Sequence, residues 1–438
     1  MKKLTFLLGM LCTSVIAQDT IKSIGFLSIN TAYTSKMMEA NQDLRKSEIF
    51  FNSRKDVISM RGITAGLCVV SIMDYQQSSH DSKFAYLMRH PTAANQIGKE
   101  VSEAVVHSFQ LSLTGVVNNW MAAYGEMLYN PEQSFGTGTI TASTRNLFEL
   151  RKGYLAFGNL NSFPVYGAIG KMDAPFGQSG SVNPFSNSSM WHAFAGLGYG
   201  AQLSFMKWGI NANVMAVQGG AQFRAMNTVV GDSSNVPSQL NNFVGDLNYK
   251  LKLGKKSHIL LGGSYLHGSA YSQDFPITHF AASKKNNPAV TGYGNIKITD
   301  HVYIMGAYAT TLYAWPGTHN PYLPLAIYPK SKVSSIDAGA KYTFHLNGKV
   351  QYTISGEFSN FRSGADGSPW ERQNQIIAGF MALVNHSRLF IELFRTDGYT
   401  PLNFISGSNP GAPFPAGTTH SVRDAYSNGI VIGGQFNI

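Results

Sequence analysis

The chain is short of charge, of cysteine and of long apolar runs, and each shortage removes a class of protein. Charged residues make up 13% of its 438 residues, about half the ~25% of an ordinary soluble domain. Apart from Cys12, which falls in the leader described below, the only cysteine is Cys68, so the processed chain has no internal disulfide. No run of ~18 apolar residues follows the leader, which argues against a helical inner-membrane protein. Zinc-helix HExxH, CxxC, Walker A and GxSxG motifs are all missing, and the histidines lack metal-ligand spacing. The expectation is a non-enzyme with no cofactor and no bound metal. Ser204 and His258 come nearest to a barrel-hydrolase reading, but nothing selects them over other serines and histidines.

What is present points to export. The first seventeen residues, MKKLTFLLGMLCTSVIA, carry two lysines, a short apolar core, and Val15 and Ala17 at the spacing signal peptidase requires. Cleavage is expected after Ala17. Leu11 stands before Cys12 where a lipobox needs a small residue, which argues against lipidation. The expected organisation is therefore a signal peptide at 1–17, an N-terminal segment at 18–57 and a β-barrel at 58–438. The segment reads as a periplasmic extension, a partial plug or a disordered tail, and EANQDLRKSE offers a weak short helix. Aromatics at 12% and 44 glycines suit a barrel wall with few charges on its lipid face. A net charge of +10 favours anionic ligands or lipopolysaccharide, or is an ordinary basic surface.

Period-2 alternation recurs along the chain. In HSFQLSLTGVVNNWMAAYGEMLYN at 107–130, Phe109, Leu111, Leu113, Gly115 and Val117 share one face, opposite Ser108, Gln110, Ser112 and Thr114. Phe243, Leu247, Tyr249 and Leu251 alternate with Asn242, Asp246, Asn248 and Lys250, and Ile336, Ala338, Ala340 and Tyr342 with Ser335, Asp337 and Lys341. A face bearing Asp246 and Lys250 does not abut a dry core. Counting such segments gives about 16 strands, an even number as in bacterial barrels. Alternation is poorest around Cys68, and Lys152 blurs the strand at 146–158, where a bulge is expected. Minimal turns such as Asn118-Asn119, Lys207-Trp208 and Leu346-Asn347 alternate strictly with long loops rich in Pro, Gly, Ser and Asn. The fold class that follows is all-β: a transmembrane antiparallel β-barrel with short periplasmic turns and long extracellular loops.

The polar faces define a candidate lumen: Asp246, Lys250, Lys297, Asp337, Lys341, Lys349, Glu357, Arg388 and Glu392 are expected to project inward. They read as salt-bridge ladders stiffening a wet interior, or as a selectivity path for anions. The outer loops 313–329 and 400–420 carry aromatics on proline-stiffened backbone, suited to ligand recognition or to a lid.

The stretches FAYLMRHPTAANQIGKEVSEAVVHSFQLSLTG at 84–115 and YLAFGNLNSFPVYGAIGKMDAPFG at 154–177 resemble the siderophore porins of the LbtU type. That resemblance implies an outer-membrane barrel for uptake of iron, as ferric siderophore or ferrous iron, without the large plug of energised receptors. GKMDAPFG also looks like a turn of anion- and phosphate-selective porins, so a diffusion porin for small anions is the alternative. The expected partners are an iron-siderophore or small anion, outer-membrane lipid and lipopolysaccharide, with no nucleic acid.

Overall fold

Alternating side chains need a wall with two different faces, and a strand set that has no free edge needs closure. In the computed structural model, which describes residues 22–24, 26–39, 41, 45–53, 62–84, 98–129, 149–178, 180–218, 222–223, 239–272, 286–346, 350–400 and 417–438, both conditions are met. The wall strands are β1 (Gly62–Ser78), β2 (Glu100–Val116), β3 (Met121–Tyr129), β4 (Glu149–Gly158), β5 (Val165–Asp173), β6 (Gly196–Lys207), β7 (Ile210–Val217) and β8 (Asn242–Lys252). They continue as β9 (His258–Leu266), β10 (Ala289–Ile298), β11 (Val302–Thr311), β12 (Ser334–Leu346), β13 (Val350–Arg362), β14 (Arg372–Val384), β15 (Ser387–Tyr399) and β16 (Val422–Asn437). Each pairs antiparallel with the next, and β16 closes on β1 with Phe436 opposite Val69. The expected barrel is present; the leader lies outside the described residues.

The two faces sort as the alternation requires. Leu111, Leu113, Leu203, Val214, Leu247, Leu261, Ile304 and Ile354 are exposed on the outside, where lipid replaces water, while Ser112, Thr114, Asn213, Asp246 and Ser359 are buried inside. Trp120, Phe163 and Trp208 stand exposed beside the short turns, the level of an interfacial aromatic girdle.

Two bulges explain where alternation failed. Glu126 pairs with Lys152 but Met127 pairs with Leu150, leaving Arg151 as the extra residue of the bulge expected in β4. Val70 pairs with Ser108 but Ser71 with Val106, so His107 is an extra residue in β2. Beyond it the strand continues back to Glu100, seven residues before the start expected from the pattern. The connection 363–371, with β14 beginning at Arg372, is also shorter than the expected long loops.

Gly170 shows how tightly neighbouring strands approach. Its φ is +145°, and a Cβ there would stand 2.2 Å from the Gly153 carbonyl oxygen and 2.7 Å from the Tyr154 Cα. Gly170→Ala is expected to lower unfolding stability by about 1–3 kcal/mol. Gly115→Ala, whose Cβ meets nothing within 4 Å, is expected to change it little. Urea unfolding of both variants in detergent, followed by tryptophan fluorescence, separates them; equal stability would contradict the steric account.

Candidate functional site

A barrel of this size has room inside for more than side chains, and two pieces of chain occupy it. The first is the N-terminal segment. Strand Leu27–Ile29 pairs parallel with Ile63–Ala65 of β1, taking the edge that β16 leaves open beyond Ile438, which pairs with Leu67. The chain then enters the lumen as α1 (Thr31–Met38) and α2 (Lys46–Ser53). Asn30 caps α1 by accepting from the Tyr33 N–H at 3.0 Å, and Tyr33 and Thr114 share a hydroxyl hydrogen bond of 3.0 Å. Phe51 stacks on Tyr166 with ring centroids 4.2 Å apart. The described residues 31–39 and 45–53 thus lie against the inner face of the wall.

Charge holds this segment to the wall. Arg388 grips Glu39 with both guanidinium nitrogens, at 2.5 and 2.6 Å. Lys46 pairs with Glu126, Glu48 accepts from Asn211, and Arg45 donates to Asp246 at 3.1 Å. Such pairs, away from bulk water and multiply hydrogen-bonded, are stronger than exposed ones.

The second piece is the outer connection 174–195, which turns inward instead of staying outside. Gly177 starts the turn with φ +65°; its N–H donates to Ser264 Oγ at 2.8 Å and its carbonyl accepts from Arg45 at 3.2 Å. Two glutamates then hold the loop. Glu357 accepts from Ser181 Oγ at 2.7 Å, the Val182 N–H at 3.0 Å and Asn183 Nδ2 at 3.0 Å. Glu392 accepts from the Phe185 N–H at 2.6 Å, the Ser186 N–H at 3.0 Å and Ser186 Oγ at 2.6 Å. The wall is thinned to receive it: a Cβ on Gly339 would lie 2.7 Å from Val182, and one on Gly379 2.7 Å from Pro184. Asn41 joins the two inner pieces by donating to the carbonyls of Asn183 and Ser186 at 2.9 and 3.0 Å. The loop ends in α3 (Ser189–Phe194), capped by Ser188.

Aromatic side chains pack at the outer end as well. Trp315, Trp370 and Tyr271 are fully buried, Tyr271 OH donates to the Ala193 carbonyl at 2.8 Å, and Trp370 Nε1 to that of Thr318 at 3.0 Å. Of the aromatic loop 313–329, Trp315 is thus packed inward with Trp370 and Tyr271. Tyr313, Tyr322, Leu323 and Ile327 remain exposed; the stretch 401–416 of the other loop lies outside the described residues. Near the rim, burial and the adjacent Lys83 hold the His420 imidazole below its usual range, which keeps it neutral at neutral pH.

Among the described residues, a cavity of about 620 Å³ lies at the short-turn end, between the N-terminal segment and strands β8 to β13. Lys250, Lys297 and Lys341 line it from the wall, Arg45 and Glu48 from the segment, and Gln178 from the inward loop. Lys341 Nζ lies over the Tyr303 ring, 4.9 Å from its centroid, and Lys297 pairs with Asp300 at 3.1 Å.

Eight of the nine candidate lumen residues thus face inward, and Lys349 lies outside the described residues. Their expected pairing does not hold. Instead of forming ladders along the wall, Asp246, Arg388, Glu357 and Glu392 hold the two inner pieces. Asp337 is buried beside Ser359 and Gln375 in one cross-strand row. Arg45, Lys46, Glu39 and Glu48 escaped sequence reading because α1 and α2 carry no apolar stripe. Ser47, Glu48, Ile49, Phe50, Phe51 and Ser53 are all buried, as befits a helix covered on most of its sides, with Asn52 exposed.

No family model matches the chain, and no curated protein matches it. Solved structures do. The anion-selective porin from Comamonas acidovorans aligns over 86% of this chain and 99% of its own, at 12% identity and a TM-score of 0.51. The outer membrane channel DcaP of Acinetobacter baumannii aligns over 86% of this chain and 98% of its own, at 12% identity and a TM-score of 0.50. The shared feature is the fold: like those outer-membrane proteins, this chain is a closed 16-stranded antiparallel β-barrel.

Proposed function

We propose that the protein is an outer-membrane channel that passes small anionic solutes along the basic side of its lumen. The carrying observation is the cavity bounded by Lys250, Lys297, Lys341 and Arg45, which is the space the two inner pieces leave beside β8 to β13. Rings and patches of lysine and arginine favour anions at a constriction because they replace part of the hydration lost there. The inner pieces narrow the passage, so only small solutes fit without movement. Purified protein in planar bilayers under a KCl gradient is expected to give a reversal potential on the anion side; a cation-selective potential would overturn this reading.

Iron uptake is the second reading. It is supported by the resemblance of residues 84–115 and 154–177 to siderophore porins, and by an outer loop that keeps Tyr313, Tyr322, Leu323 and Ile327 exposed. A filled lumen suits a solute that binds before it passes. Radiolabelled-iron uptake, as ferric siderophore and as ferrous iron, should fall in a deletion strain; unchanged uptake of both would remove the iron reading and leave the anion channel standing.

A further inference from the structure

We propose that the short-turn rim of β6 to β11 is a binding site for an anionic phospholipid of the phosphatidylglycerol type, its phosphate held by lysines and its acyl chains lying on the outer wall beside them. The site is on the outside of the barrel and does not depend on what the lumen carries.

This arc of the rim carries charge of nearly one sign. Residues 207–210, 252–258 and 297–301 hold five lysines, Lys207, Lys252, Lys255, Lys256 and Lys297, against a single acid, Asp300. Asp300 is shared by Lys256 at 2.5 Å and Lys297 at 3.1 Å, which leaves Lys207, Lys252 and Lys255 without a carboxylate partner among the described residues. The three stretches are neighbours: the Lys250 N–H donates to the Gly209 carbonyl at 2.7 Å, and the Thr299 N–H to Ser257 Oγ at 3.0 Å. Short turns 117–120 and 159–163 hold no charge at all. At the outer end arginines are matched by acids, as in Arg362 with Asp366, Arg395 with Asp397 and Arg423 with Glu371. An anion in the surrounding membrane is therefore drawn to this arc.

The wall beside the lysines selects a lipid over a soluble anion. Lys207 continues the outward face of Leu203 on β6, and Leu253, Leu251 and Tyr249 lead away from the turn that carries Lys255. These apolar side chains are exposed, as is Ile298 of β10. Trp208, 75% exposed, stands at the boundary with the Lys207 ammonium over its ring, 4.6 Å from the centroid. Lysine stems lie along apolar surface and carry the charge to the polar boundary, and tryptophan favours that level. A phospholipid has the same order, apolar chains and then a phosphate, so it meets wall and lysines together. A soluble anion would leave the wall unused.

Two tryptophans at one level test this. The full chain is reconstituted in phosphatidylcholine bilayers in which a fixed fraction of lipid, either phosphatidylglycerol or phosphatidylcholine, is brominated close to the headgroup, and quenching of tryptophan fluorescence is read. Trp120→Phe leaves Trp208 to report on the basic arc, and Trp208→Phe leaves Trp120, exposed beside an uncharged turn; the other three tryptophans are common to both. Trp208 is expected to be quenched several-fold more by brominated phosphatidylglycerol than by brominated phosphatidylcholine, and Trp120 equally by both. Lys207→Gln, Lys252→Gln, Lys255→Gln and Lys256→Gln together should erase the preference in a variant that still migrates as a folded barrel on gels; Lys297 stays because it lines the cavity. Glycerol phosphate at the bulk concentration of the brominated lipid should leave the preference in place. No preference at Trp208, an equal preference at Trp120, survival of the preference without the four lysines, or its loss to glycerol phosphate overturns the proposal.

Discussion

Replacing Glu357 and Glu392 together by glutamine is expected to detach the inward loop and raise single-channel conductance several-fold, with the barrel itself intact. Each glutamate accepts from several donors: a hydroxyl, a backbone N–H and an amide on Glu357, and two backbone N–H groups and a hydroxyl on Glu392. Glutamine has the same shape but turns one acceptor into a donor, so a donor faces a donor in each cluster. An ordinary hydrogen bond contributes about 0.5–1.5 kcal/mol, and a buried donor left unpaired costs about 1–3 kcal/mol. Between the two anchors at Gly177 and Gln375, which keep Ser264 and the Asn187 carbonyl, the stretch 181–186 is left with Asn41 and the Phe185–Phe390 stack. The strand ladder is untouched, so heat-modifiable migration on gels should persist. Unchanged conductance in a folded double variant would show that the loop is held by something other than these carboxylates.

The second large effect concerns selectivity. Changing Lys250, Lys297 and Lys341 to glutamate is expected to move the reversal potential from the anion to the cation side. A unit charge about 7 Å from a passing ion contributes roughly 0.6 kcal/mol even at the dielectric of bulk water, and more beside a protein wall. Reversing one lysine doubles that difference and acts oppositely on anion and cation. Discrimination therefore shifts by about 2.4 kcal/mol per site, more than tenfold, before the three sites combine. The measurement belongs in dilute salt, because screening shortens the reach of each charge to about 10 Å at 0.1 M. If the triple variant keeps the original sign, ions do not pass through this cavity.

The barrel was legible because lipid and water impose opposite demands on neighbouring residues, and that contrast is written at every second position. Phe243 to Leu251 and Ile336 to Tyr342 each announce an outward face without help from the rest of the chain. Where a bulge inserts His107, the inward set changes parity, and the half of β2 before it drops out of the pattern. The facing of the lumen residues was legible for the same reason, but their partners were not. Asp246 and Lys250 look alike as luminal charges, yet one holds the N-terminal segment and the other lines the cavity. That difference is made by residues 27–53 and 174–195, which bury polar and apolar side chains without a period. The outer connection that folds inward has the same Pro-, Gly- and Ser-rich composition as those that stay outside.

The parallel pairing of Leu27–Ile29 with the start of β1 has a mechanical meaning. Where β16 stops at Ile438, this short ladder takes over the same edge of β1, so the seam that closes the barrel is spliced from two stretches of chain and a load pulling it apart there is shared between them.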